Sequence, residues 1–458
     1  MPEDTTVPGV YIEEDASPAM SVSTGATAVP LFVARFTPSD KKLAGVITRI
    51  GSWLDYTTLF DSNVPSSATV TVESTEIPPP QASDAPETAP SEAAVRDGGA
   101  TTTYSWQITG TAVEDHSASV ALRLYFQNGG GPCYLCPLEK ADDKDALAAL
   151  PGLIDEVGAI TLLACPEPDE AYRTAVYGAL AASLGENKGY FLLADSVNGE
   201  APGAVSNSAR VAVYYPNLVM PYTRTLDDSQ VAVTGYKDGS DTTIATLADL
   251  RKVNADFAVT IDKALAEKRN VPLSLPPSAL MAGVYNKTDG ERGVWKAPAN
   301  VVLNGVSDVS VRVTNEQQAD LNPKGINVIR HFSDRGLVVW GSRTQKDDDD
   351  WRYIPVRRLF DAAERDIKKA LQPMVFEPNS QPTWKRVQAA IDNYLHRLWQ
   401  QGALAGNKAE EAYFVRVGKG ITMTQDEINQ GQMIIQVGMA AVRPAEFIIL
   451  KFTQDMSQ

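Results

Sequence analysis

Ala159-Ile160-Thr161-Leu162-Leu163-Ala164, then an alanine-rich stretch over 170–184, then Tyr190-Phe191-Leu192-Leu193-Ala194-Asp195: this passage decides the class of fold. Neither apolar run alternates with polar residues, so a strand formed by either is covered on both faces. The stretch between them has the composition of a helix. Buried strand, helix and buried strand in that order describe a parallel unit, because parallel neighbours need a crossover connection. The same alternation extends outward. Val120, Leu122, Leu124, Tyr125 and Phe126 predict a helix that stops at Asn128-Gly129-Gly130-Gly131. Cys133-Tyr134-Leu135-Cys136 follows as a strand, 146–157 as a helix, and Val211-Ala212-Val213-Tyr214-Tyr215 as another buried strand. Upstream, Ala28-Val29-Pro30-Leu31-Phe32-Val33 reads as a strand, and 47–60 as a strand followed by a capped helix. The expected body is a three-layer α/β domain over 23–320, discontinuous in sequence.

Two polar stretches interrupt it. Six prolines fall between Val64 and Ser91, and no Lys or Arg occurs between Arg49 and Arg96. Such a segment is too polar to build much core. Patches at 69–76 and 101–109 have strand character, so 62–114 reads as an inserted β-rich surface lobe, with a loose loop as the alternative. The second interruption is 222–246. After it, 247–267 reads as one helix with Leu250, Val253, Phe257, Ile261 and Leu265 on a stripe, and 289–300 as a loop.

The last third is a separate α+β module, expected over 321–442. Val356, Leu359, Phe360, Ala363, Ile367, Ala370 and Leu371 mark one helical face, with Arg358, Arg365, Lys368 and Lys369 opposite. Trp384, Val387, Ile391, Leu395, Leu398 and Trp399 mark a second amphipathic helix. Thr424-Gln425-Asp426-Glu427 is a capping box, and 432–437 and 445–452 read as strands. The chain has 458 residues and a net charge of -16, yet from Leu321 onward it carries 19 Lys and Arg against 16 Asp and Glu. An acidic body with a mildly basic module argues against nucleic acid as a direct partner. No apolar run of about 18 residues occurs, so no membrane insertion is expected. Met1-Pro2-Glu3-Asp4 does not open a secretory signal, which predicts synthesis in the cytoplasm.

Both ends lie outside these domains. Pro8-Gly9-Val10-Tyr11-Ile12-Glu13-Glu14 belongs to an arm over 1–22, and Arg443-Pro444-Ala445-Glu446-Phe447-Ile448-Ile449-Leu450-Lys451-Phe452 to a tail over 443–458. Unpaired strand backbone must find a sheet. Val10, Tyr11, Ile12 and Glu13, with Glu446, Phe447, Ile448, Ile449 and Leu450, are therefore candidates for joining one copy to its neighbours by strand addition.

Catalytic patterns are sparse. No Gly-x-Ser-x-Gly elbow, dinucleotide fingerprint or Walker loop occurs in the sequence. Cys133 and Cys136 form a single CxxC with no second pair for zinc, and read as core thiols. Asp347-Asp348-Asp349-Asp350 lacks the spacing of a calcium loop and reads as a solvated turn. No cofactor is expected. An α/β enzyme with a β-rich insertion and an unfamiliar site stays open beside a structural, polymerising subunit.

Four passages resemble the tail sheath proteins of contractile injection machines. They are the arm, from Pro8 to Glu14, with Val22-Ser23-Thr24-Gly25-Ala26-Thr27; Asp289-Gly290-Glu291-Arg292-Gly293-Val294-Trp295-Lys296-Ala297-Pro298-Ala299-Asn300; the series Gly325-Ile326-Asn327-Val328, Val339-Trp340-Gly341-Ser342-Arg343-Thr344, Trp351 to Phe360 and Val375-Phe376-Glu377-Pro378-Asn379; and Pro444-Ala445-Glu446-Phe447-Ile448. Within that family the arm and Asn128-Gly129-Gly130-Gly131-Pro132-Cys133-Tyr134 are most similar to injection particles of the antifeeding-prophage type. The resemblance implies hexameric rings stacked as a helix around an inner tube protein, with baseplate and terminal cap proteins at the ends. It implies arms that add strands to a sheet of the C-terminal module, and contraction without nucleotide. It implies assembly in the bacterial cytoplasm and a place in a released phage tail-like particle or a virion tail. Relatives touch the tube with a helix of this module, so Arg358, Arg365, Lys368 and Lys369 are the tube-facing candidates; a solvated helix face is the alternative.

Overall fold

The computed structural model describes residues 20–60, 67–77, 103–114, 117–185, 188–196, 203, 205–224, 226–240 and 243–449. The central element is an eight-stranded sheet in the order Gly336–Trp340, Ile326–Phe332, Val211–Tyr215, Phe191–Asp195, Leu162–Ala164, Pro30–Ala34, Cys133–Pro137, Thr48–Ile50. The six inner strands are parallel and the two outer ones antiparallel to their neighbours. Successive residues feed opposite layers. Phe32, Leu162, Leu193 and Tyr214 enter one core with helices Ala118–Gln127 and Ser278–Arg292. Leu31, Leu163, Leu192 and Val213 enter the other with Lys144–Val157 and Glu170–Leu180. Two faces covered by helices explain why these strands read as unbroken apolar runs. Asp143 and Asp169 start the second pair of helices, each side chain accepting a backbone N–H of the first turn. Three-layer α/β architecture is therefore as expected.

The inserted lobe is a long hairpin. Ser67–Ile77 and Thr103–Glu114 pair along their whole length, with a register shift at Thr71/Val72. The second polar stretch is part of the same lobe: Val231–Thr234 adds a third strand, parallel to Ser67–Ile77. Gly235 ends that strand at φ +83, where a Cβ would lie 2.1 Å from the Val72 carbonyl oxygen, so a larger residue is excluded. The helix expected over 247–267 is two, Leu247–Val253 and Ala255–Arg269. Asn254 breaks it, because its side chain accepts the Phe257 N–H and caps the second helix.

Two further expectations need correcting. The boundary at 321 falls inside the body, since Ile326–Phe332 pairs with Val211–Tyr215 and carries Gly336–Trp340 outside it. The passage over 289–300 is not all loop: Ser278–Arg292 is one helix, and Gly293 stops it at φ +88. The C-terminal unit is built from Ile354–Leu371, Gln381–Gln400 and the hairpin Tyr413–Val417/Ile435–Met439, packed through Leu359, Ala363, Val387, Ile391, Leu395 and Val415. Val22 is buried in this same core, so the N-terminal arm springs from the C-terminal unit. The capping box forms as expected, Thr424 and Glu427 bonding reciprocally.

Cys133, Cys136 and Cys165 are buried free thiols. Burial pushes the Cys136 thiol up to about 12 and raises the other two as well. Among the described residues no helix is long and apolar enough to cross a membrane.

Candidate assembly interface

Among the described residues the C-terminal hairpin has no further strand on either edge. The Ala440 N–H reaches the Ala412 carbonyl at 2.8 Å, which fixes the phase of the antiparallel ladder. Phe414/Gly438 and Arg416/Gln436 then exchange bonds, while the backbone groups of Tyr413, Val415, Val417, Ile435, Val437 and Met439 point outward. On the Tyr413–Val417 edge the Val415 carbonyl is taken by the Gln388 amide at 2.9 Å. The Ile435–Met439 strand instead borders a cleft of about 580 Å³, walled by Ile367, Leu371, Val375, Val437 and Met439.

The C-terminal tail is fastened at one point. Glu446 accepts from Arg343 Nε at 2.9 Å and Nη2 at 2.7 Å, from Asn322 at 2.8 Å and from Tyr353 at 3.1 Å. Burial works against the carboxylate, but the Arg343 guanidinium and the other donors outweigh it and hold Glu446 below the usual glutamate range. Beyond this clasp Phe447, Ile448 and Ile449 are 70%, 80% and 79% exposed. Of the strand expected over 445–452, Ala445 to Ile449 lie in no ladder among the described residues. Leu450 and the arm residues Val10, Tyr11, Ile12 and Glu13 lie outside the described residues.

The expected basic face of the Ile354–Leu371 helix is not a single face. Arg358 is buried against the body, its guanidinium donating to Asp289 at 3.0 and 2.6 Å and to the Thr27 carbonyl at 3.0 Å, with its carbon 4.6 Å from the Tyr285 ring centre. That removes it from any tube contact. Arg365 is half-buried and donates to the Gly189 carbonyl. Lys368 and Lys369 alone of the four are exposed. The first half of the helix has a second buried face, because Arg357 and Asp361 also turn inward: Asp361 bonds Arg210 and Arg357. Sequence periodicity misses Arg358 and Asp361, since their partners Asp289 and Arg210 lie far away along the chain, while Arg357 pairs within its own helix with Asp361 and Glu364.

Nor do the acidic candidates form a catalytic centre. Asp195 ends a parallel strand, where α/β sites usually lie, but it is sealed. Its carboxylate accepts the Ser278 N–H at 2.8 Å and the Tyr177 hydroxyl at 3.2 Å, and burial moves its pKa to about 6. In the acidic run, Asp347 and Asp349 pair with Arg352, Asp348 accepts the Trp351 N–H, and Asp350 approaches Arg443.

Comparison with known proteins identifies the group. Residues 203–345 match the phage tail sheath protein central domain and 346–455 the phage tail sheath C-terminal domain. A sheath subunit from the contracted helical sheath of the anti-feeding prophage is 70% identical over 98% of this chain and 100% of its own, with a TM-score of 0.72. The PVC sheath complex of an extracellular contractile injection system, also contracted, is 37% identical over 99% and 98%, with a TM-score of 0.66. The tail sheath protein of Vibrio phage KVP40 is 27% identical over 184 residues, 38% of this chain and 27% of the phage protein. A putative prophage major tail sheath protein of Pseudomonas aeruginosa (strain UCBPP-PA14) is 25% identical over 259 residues, 52% of this chain and 63% of its own. The chain thus spans less than two thirds of these two relatives. Near-complete overlap at 70% identity is decisive, and with the two sheath domains in order it places this chain in the contractile tail sheath family, as a structural protein and not an enzyme.

Proposed function

We propose that copies of this chain stack as hexameric rings around an inner tube protein and contract to drive that tube through a target envelope. The observation that carries the reading is a tail anchored at Glu446 and exposed at Phe447, Ile448 and Ile449, together with a hairpin that has an outward-facing edge unpaired among the described residues. Arms of adjacent copies complete that sheet. Each added backbone hydrogen bond contributes roughly 0.5–1.5 kcal/mol, and each buried Val, Ile or Phe roughly 1.5–3 kcal/mol. Body and C-terminal helix are bolted by the Arg358–Asp289 and Arg210–Asp361 pairs, so the arms supply the bending. Baseplate and cap proteins terminate the stack. Assembly takes place in the bacterial cytoplasm, and the similarity to extracellular injection particles favours a released protein-delivery device over a virion. Electron microscopy of the purified full chain is expected to find long hollow cylinders; dispersed single subunits under every assembly condition would overturn the proposal.

Lys368 and Lys369 hold the proposed grip on the tube. An exposed ion-pair contact is weak and screened, which suits a joint that must release. Reversing both charges is expected to reduce co-assembly with the tube protein at low salt and leave empty cylinders intact. Unchanged tube recruitment would remove these two lysines from that role.

A further inference from the structure

The loop between the two C-terminal helices presents Phe376 to solvent, 102% exposed, at φ +73. A bulky residue rarely adopts that backbone, and such conformations persist where function needs them. The loop is braced. The Asn379 amide donates to the Gln432 carbonyl at 2.8 Å, and the Trp384 indole donates to Asn379 at 2.6 Å. Pro373 and Pro378 flank the tip, and Glu377 beside it is exposed. This is a preformed aromatic knob with an adjacent carboxylate, and among the described residues nothing covers the phenyl ring.

A matching hollow lies elsewhere. A cleft of about 870 Å³ is lined by Trp295, Trp340, Ala297 and Tyr353, with Arg292 and Lys296 at its wall. Among the described residues no acidic side chain pairs with either cation. Burial, then the charge of Arg292, lowers the Lys296 pKa, as expected of an ammonium lacking a counter-charge.

Tyr353 precedes the first C-terminal helix, and Gln401, which also lines the cleft, follows the second. Both helices therefore lead from the cleft to the knob. At 18 and 20 residues they place the two about 27–30 Å apart. A copy cannot fill its own cleft.

We propose that Phe376 and Glu377 of one copy dock in the Trp295/Trp340 cleft of a second copy, the phenyl ring between the indoles and the carboxylate against Arg292 and Lys296. Different patches meet, so the contact is head-to-tail, and such contacts repeat into rings or helices. Aromatic anchors held rigid in advance give the strongest interface contacts. The inference rests on the sheath reading and adds a joint distinct from strand addition.

Phe376→Ala in the full chain is expected to keep the wild-type melting curve and to raise the concentration needed for cylinder formation about tenfold. Glu377→Lys and Lys296→Glu are each expected to weaken assembly, and the double variant to restore it. The inference is overturned if Phe376→Ala assembles like wild type, if the charge swap restores nothing, or if Phe376→Ala impairs tube recruitment alone. Failure of the sheath reading is separate: the wild-type control would itself form no cylinders.

Discussion

Asp289→Ala will lower the free energy of unfolding by about 3–5 kcal/mol, the cost of stranding a buried charge. Arg358 and Asp289 are only 3% and 5% exposed at their side chains. Without the carboxylate the guanidinium keeps the Thr27 carbonyl and the Tyr285 face but has no counter-charge. Water cannot replace it without opening the joint between the helix Ser278–Arg292 and the helix Ile354–Leu371. Thr27 also donates to Asp289 at 2.6 Å, so the base of the N-terminal arm loosens with it. Urea unfolding measures the loss. A double replacement, Arg358→Met with Asp289→Leu, is expected to recover much of it, because apolar residues of similar volume carry no desolvation penalty. A single-variant loss below about 1 kcal/mol would mean the pair is solvated in solution.

Removal of residues 1–19 will abolish cylinders and leave a folded monomer. The cut stops short of Val22, which fills the C-terminal core, and of Gly25, whose N–H is bonded to Asp366 at 3.0 Å. Nothing described in the body or lobe is touched. In the proposed joint, loss of the arm strand would cost several backbone hydrogen bonds and the burial of Val10 and Ile12 against a neighbouring copy, together about 5 kcal/mol per joint. That is roughly three to four powers of ten in association. Analytical ultracentrifugation and electron microscopy read the two halves of the result. A truncated chain that still built normal cylinders would refute strand addition by this arm.

The body was legible because its strands are buried on both sides. Phe32 and Leu31, or Leu192 and Leu193, serve opposite cores, so apolar runs remain unbroken. The lobe hairpin was legible for the contrary reason: Ala68, Val70 and Val72 are buried between exposed neighbours, giving a period of two. Its third strand was not, since Val231–Thr234 is short and lies within polar sequence. The hairpin over Ile326–Trp340 was assigned to the wrong unit because strand pattern carries no address; only its pairing with Val211–Tyr215 does. The charged face of the Ile354–Leu371 helix failed for a related reason. Helical periodicity separates apolar from polar residues, but Arg357, Arg358 and Asp361 are polar and interior at once. Asp289, the partner of Arg358, and Arg210, a partner of Asp361, are 69 and 151 residues distant. Glu446 was read as one strand residue among several, and its clasp depends on Arg343, Asn322 and Tyr353 meeting in space.

The three enclosed thiols bear on durability. A particle built from many copies multiplies any reactive group, and one accessible sulfhydryl per copy would offer every neighbour an oxidative weld. Thiolate is the species that oxidants attack, and here it scarcely forms, since Cys133, Cys136 and Cys165 are shut inside the body and held protonated. A loaded spring made of such parts can wait in aerated surroundings without rusting shut.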